Sequence, residues 1–219
     1  YDESVFRSSD HDPTLVGYDP LEGESPVDPV EFTDVAGNTF AEDIAWLAGA
    51  GITTGYANGD GTFSFRPSAP VLREQMAAFL YRYANDGANP PADAPGARFS
   101  DTTTNVFGPH IAWLAEQEIT TGYPDGTFRP SAPVLREQMA AFLYRLAGSP
   151  PISLPLTGSP FTDVAVTDVF YTEIVWLEST GVTTGYAEAD GSRTFRGSEP
   201  VLREQMAAFL SRYDERDSG

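Results

Sequence analysis

Three arginines occupy the third position of one ten-residue string. "VLREQMAAFL" occurs from Val71, Val134 and Val201, which sets Arg73, Arg136 and Arg203 apart by 63 and 67 residues. A guanidinium is permanently charged and planar, and its fork of donors matches a carboxylate or a phosphate. All 13 basic residues of the chain are arginine, so every cation has that geometry. Other chemistries find less support. Cysteine is absent, which removes thiolate and disulfide chemistry. His11 and His110 form no pair at metal-ligand spacing, so neither a metal site nor a Ser-His-Asp triad is indicated. "NGDG", "PDG" and "EADG" lack the alternating oxygen ligands and terminal glutamate of an EF-hand and read as turns. The many acids are scattered in the manner of a solvated surface rather than paired as in a glycosidase. No catalytic residue, metal or cofactor is assigned.

Placing three forks identically requires three copies of the same element. Leu72, Met76, Phe79, Leu80 and Tyr83 fall on one stripe of an α-helix, and Ala77 and Ala78 flank it with side chains small enough for close helix approach. A first helix precedes it, with Phe40, Ile44, Leu47 and Ala48 at helical spacing and Gly49 and Gly51 to end it. "TTGY" and an Asp-Gly turn or short hairpin join the two. The pattern defines three units: residues 31–85, 98–147 and 160–213. The turn after "TTGY" is four residues shorter in the middle unit, so length variation maps to a loop. Residues 86–97 and 148–159, rich in proline, glycine and small polar side chains, read as extended connectors. Residues 1–30 are acidic, with Arg7 the sole arginine, and read as an extended tail or linker; residues 214–219 read as a short tail.

A hydrophobic content of 41% over 219 residues is that of a globular chain. A net charge of -19 repels phosphate backbones and anionic lipid, which argues against nucleic acid as a partner. No apolar run approaches the roughly 18 residues of a membrane helix, so membrane insertion is not expected. No basic-then-apolar leader begins at Tyr1, which fits a cytosolic or an already processed protein.

One unit of this size buries too little apolar surface for comfortable stability. Three matching stripes meeting around a pseudo-threefold axis solve this; an open solenoid would need atypical polar end units. At its helix start, each repeated arginine opposes the helix dipole, which calls for a partner. Free amides of the first turn together with the fork would make an anion site. The simpler reading is an intramolecular bridge to Asp34, Asp101 or Asp163 of the "F-T/S-D" motif, and the two are compatible.

The order "FTDV", then a helix ending "AGAGITTGY", then "DGTFRPSAPVLREQMAAFL", kept with variations in three copies over residues 31–213, resembles the S-layer homology module. That resemblance implies a mainly α fold, a pseudo-threefold trimer of helix-turn-helix repeats around a central three-helix bundle, with short hairpins and with grooves between units. It implies a secreted, noncatalytic cell-wall or cell-surface domain that holds its protein to an anionic, often pyruvylated, secondary cell-wall polysaccharide. Arg73, Arg136 and Arg203 match the arginine of the family's Thr-Arg-Ala-Glu motif and are the candidate ligand contacts. Phe40, Phe107 and Phe170 match its aromatic before the first helix. Those phenylalanines, the three aspartates, and Trp46, Trp113 and Trp176 as stacking or core-edge aromatics are candidate groove-lining residues. The motif's threonine is Leu72, Leu135 or Leu202 and its glutamate is Gln75, Gln138 or Gln205. Leucine cannot cap, so the helices are expected to begin earlier, at Ser68, Ser131 and Ser198, or to depend on packing. The alternative function is a self-associating subunit of a surface layer or filament, docking through residues 1–30.

Overall fold

A computed structural model describes residues 30–217 apart from 93, 95, 97, 156 and 157, and for Asp217 the backbone alone. The acidic segment 1–30 therefore lies, but for Val30, outside the described residues. Six α-helices alternate as expected: α1 (Ala41–Gly49), α2 (Arg73–Ala84), α3 (Gly108–Glu116), α4 (Arg136–Leu146), α5 (Tyr171–Ser179) and α6 (Arg203–Asp217). α6 runs past residue 213, where the sequence pattern ends the third unit.

The length difference after "TTGY" decides the local structure. In the two longer turns a two-residue antiparallel hairpin forms, β1 (Tyr56–Ala57) with β2 (Phe63–Ser64) and β3 (Tyr186–Ala187) with β4 (Arg193–Thr194). The middle unit lacks four residues and closes instead through Tyr123 N–H to the Thr127 carbonyl. The glycine of "TTGY" is required by geometry at all three places. Gly55, Gly122 and Gly185 have φ near +70°, and a Cβ on any of them would stand 2.3 Å from the ring of Phe32, Phe99 or Phe161.

The helices pair between units rather than within them. α3 lies along α2, α5 along α4, and α1 along α6, so each second helix is covered chiefly by the first helix of the next unit. The small flanks Ala77 and Ala78 are buried along with Met76, Phe79 and Leu80, which lets the helices approach closely. The pseudo-threefold axis is marked by three peptides that bond in a closed triangle. Val71 N–H donates to the Val201 carbonyl (2.9 Å), Val201 to Val134 (2.8 Å) and Val134 to Val71 (2.9 Å). The second helices begin two residues beyond this triangle, and their buried side chains form one core with those of the first helices.

The helix starts correct an expectation. α2, α4 and α6 begin at the arginines, not at the upstream serines, with Leu72 and Leu135 extended at the N-cap of the first two. Capping is supplied by the neighbouring unit's backbone. Arg73 and Glu74 N–H donate to the carbonyls of Ala132 and Pro130, Arg136 and Glu137 to those of Glu199 and Gly197, and Arg203 and Glu204 to those of Ala69 and Pro67. Gln75, Gln138 and Gln205 add half a capping box, each side-chain oxygen accepting from the preceding leucine N–H at 3.2–3.3 Å. A leucine is tolerated at the cap because the first-turn amides are satisfied from outside the helix.

Candidate functional site

The repeated arginines are buried, at 4%, 4% and 3% exposure. Their Nε–H groups donate to main-chain carbonyls of the next unit, from Arg73 to Phe128 (2.7 Å), from Arg136 to Phe195 (2.8 Å) and from Arg203 to Phe65 (2.6 Å). The last of these closes the ring from the third unit to the first. Each guanidinium also lies against aromatic rings: that of Arg203 is 4.9, 4.6 and 5.4 Å from the centres of Tyr56, Phe65 and Phe79, and Arg73 and Arg136 repeat the arrangement. Burial pulls all three below the usual arginine pKa, with nearby tyrosine and aspartate charges acting the other way.

Neither sequence-derived partner for these forks is found as stated. The first two amides of each of these helices are occupied by carbonyls of the neighbouring unit. Asp34, Asp101 and Asp163 make no ion pair with the repeated arginines. Each carboxylate instead accepts two main-chain N–H groups of its own unit at 2.7–2.8 Å: Phe65 and Arg66, Phe128 and Arg129, or Phe195 and Arg196. Aspartate and repeated arginine thus grip the same phenylalanine residue, one through its N–H and the other, from the neighbouring unit, through its C=O.

Those bonds hold a second arginine trio that sequence reasoning missed. Arg66, Arg129 and Arg196 have φ of 58–59°, a left-handed conformation that costs a non-glycine residue about 1 kcal/mol or more. Their guanidinium carbons lie 4.1, 3.9 and 4.1 Å from the ring centres of Tyr56, Tyr123 and Tyr186. Each "TTGY" tyrosine therefore packs between one buried and one more exposed arginine. Repetition of Phe-Arg in "SFRP", "TFRP" and "TFRG" across the three units was the available signal.

At the seam joining the third unit to the first, a cavity of about 190 Å³ opens. The Thr183–Tyr186 turn, α6, Phe40 and the inner end of Arg136 form it, with Gln205 and Arg212 contributed by the helix. Among the described residues two arginines and no acid line it. Gln205 Nε2 donates to the Tyr186 hydroxyl at 3.1 Å, which fixes the wall of the groove. Of the sequence candidates, Arg136 and Phe40 line this cavity. Arg73 faces Tyr123 and Arg203 faces Tyr56 at the corresponding places of the other two seams.

The tryptophans lie behind the grooves and line none of this cavity. Trp176 is buried between Tyr144 and Tyr213, Trp113 meets Tyr81 edge-on at 5.2 Å, and half-buried Trp46 lies 6.5 Å from Tyr83. His110 is 7% exposed, set between Tyr81 and Phe107, and neither ring nitrogen has a hydrogen-bond partner. Burial, aided by the Arg82 charge, pulls its pKa down to about 4.

Comparison with known proteins agrees with this architecture. The S-layer homology domain family matches residues 31–77 and 98–140. Two curated relatives come from Acetivibrio thermocellus. "Cell surface glycoprotein 1" is 27% identical over 193 residues, covering 84% of this chain and 8% of the relative. "Cellulosome-anchoring protein" is 26% identical over 181 residues, covering 80% of this chain and 39% of the relative. The chain thus spans well under half the length of either. Its third unit, outside the matched segments, has the same helix pair, the same "TTGY" turn and the same buried arginine as the other two. Residues 31–77 and 98–140 are thus matched as S-layer homology domains, and the third unit repeats their architecture.

Proposed function

We propose that this chain is a noncatalytic anchoring domain at the bacterial cell surface, holding its protein noncovalently to an anionic, pyruvylated secondary cell-wall polysaccharide through grooves between units. The observation that carries the reading is the charge of the groove. In a chain of net charge -19, a cleft lined by two arginines and, among the described residues, by no acid is a local exception. Screening beyond about 8–10 Å at physiological salt leaves such close contacts in control of binding to an anionic polymer. The volume accommodates about one sugar ring rather than the drug-sized ligands of pockets of ~300–1,000 Å³, as suits one residue of a polymer. Weak contacts along a chain of repeating sugars gain from multivalency. The anchoring relative lends support by its name, and the match to S-layer homology domains points to the wall and the cell surface.

Arg73, Arg136 and Arg203 contribute to such grooves from beneath, as the fixed positive floor, rather than as exposed hands. Alanine at these positions would test folding as much as binding. Filling the groove is the cleaner test, because Thr184 is exposed and lines the cavity. The intact chain should bind purified wall polysaccharide saturably in a pull-down, and Thr184→Trp should lose most of that binding with an unchanged melting temperature. Undiminished binding by the variant would place the ligand elsewhere. The self-assembly alternative depends on residues 1–30, nearly all outside the described residues, and no observed feature favours it.

A further inference from the structure

The three seams repeat the same residues but not the same contacts. Nine positions after each repeated arginine stands another: Arg82, Arg145 and Arg212. Arg82 is half-buried, with Nη1 donating to the Ile52 carbonyl (3.2 Å) and Nε to Asn89 Oδ1 (3.0 Å). Arg145 is held the same way by the Ile119 carbonyl at 3.3 Å. Arg212 is exposed and lines the cavity. Among the described residues it has no hydrogen-bond or ion-pair partner, and the matching Val182 carbonyl does not receive it.

The neighbouring position differs in parallel. Tyr81 and Tyr144 fill the space between paired helices, edge-on against Trp113 and Trp176 at 5.2 and 5.4 Å. Their counterpart on α6 is Ser211, buried at 8% exposure but far smaller. The seam of α6 with α1 therefore lacks one aromatic ring that both other seams possess. The same cavity is lined by Arg212 and by Arg136 and, among the described residues, by no acid.

We propose that the seam between the third and first units is the dominant ligand site, and that Arg212 is its specificity-determining cation, reading a carboxylate carried by a sugar of the wall polysaccharide. This rests on the anchoring reading above and adds which seam and which residue. A free planar fork can meet a carboxylate through two parallel N–H···O bonds, whereas Arg82 and Arg145 would first have to release a main-chain carbonyl. Phe209 and Gln205 supply apolar and polar parts of the cavity wall beside Arg212.

The test uses the full chain and two probes: purified wall polysaccharide, and the same material after chemical reduction of its carboxylates. Arg212→Ala should weaken binding of the native polysaccharide about tenfold or more, with the melting temperature unchanged. Arg82→Ala and Arg145→Ala should show the reverse pattern, a lowered melting temperature and binding within about twofold of the parent once folded at low temperature. Arg212→Lys, which keeps the charge and loses the fork, should recover only part of the loss. Reduced polysaccharide should bind the parent as weakly as native material binds Arg212→Ala. The proposal is overturned if Arg212→Ala binds like the parent, if the other two variants lose as much, or if carboxylate reduction changes nothing. A parent chain that fails to bind native polysaccharide overturns the anchoring reading itself, and this proposal with it.

Discussion

A single side chain carries much of each junction between units. Arg203 is buried, its Nε–H is 2.6 Å from the Phe65 carbonyl, and three rings surround its charge. A hydrogen bond from a charged donor contributes about 1.5–3 kcal/mol, and removing the donor strands the acceptor in the core. Cation–π contact adds roughly 0.5–2 kcal/mol, partly offset because alanine removes a desolvated charge. Arg203→Ala should therefore lower stability by about 2–3 kcal/mol in urea unfolding. Arg203→Lys should recover little of this, because an ammonium cannot stack on the rings and bond the carbonyl in one plane. A loss under about 0.5 kcal/mol would show that the carbonyl contact is not structural. The threefold recurrence of Arg73, Arg136 and Arg203 was legible in the sequence. Their partner was not legible, because Phe65, Phe128 and Phe195 offer a main-chain oxygen, a group every residue possesses.

Helix seams that look alike in sequence respond differently to acid. His110 of α3 stands where α1 has Asp43 and α5 has Glu173, and it faces Tyr81 and Arg82 of α2. Its pKa falls from about 6.5 unfolded to about 4 folded because burial disfavours the charged ring. The stabilisation is thus present above pH 6.5 and is lost as pH falls toward 4. At the α4 seam the sign is opposite. Asn38 donates to Glu204 and Asn105 to Glu74, both at 2.7 Å, but the third such position is Asp168, next to Glu137. Desolvation and then the Asp168 charge raise the Glu137 pKa, so that seam is favoured at low pH and weakens as pH rises through the raised value. Urea midpoints followed from pH 8 to 4 should fall in the parent, and His110→Phe should flatten the fall below pH 6.5. Asp168→Asn should raise stability near pH 7 by about 0.5–1 kcal/mol, by restoring an amide donor to Glu137. A parallel pH profile for His110→Phe and the parent would mean that the imidazole is not what titrates. The helices themselves were legible from their 3.6-residue periodicity. Which helix covers which could not be read, because identical stripes fit each other in several arrangements.

At the scale of the molecule, the three units form a closed ring in which none is complete alone. Each second helix takes its amide caps, its arginine acceptor and its covering helix from the next unit, and the valine triangle needs all three. The ring should unfold in one cooperative transition, unlike an open repeat array that can lose an end unit. A chain ending before residue 160 should lack that transition entirely, as judged by circular dichroism in urea. It would leave Arg136 without its carbonyl and α4 without α5 and its caps. Cooperative unfolding of the two-unit chain would show that the ring is dispensable.

The sequence by itself determined the triplication, the helices and turns within each unit, the glycine in each "TTGY", and the identity of the arginines. These depend on local spacing and on side-chain type, which the string displays. Tertiary structure alone decided that the arginine forks turn inward to carbonyls 55, 59 and 138 residues away. It also decided that the helices pair across units and that Arg212 remains free where Arg82 and Arg145 are held. The physical reason is that a side chain's partner is chosen by what the closed ring brings within about 3 Å of it, and three near-identical units leave that choice open until the ring closes.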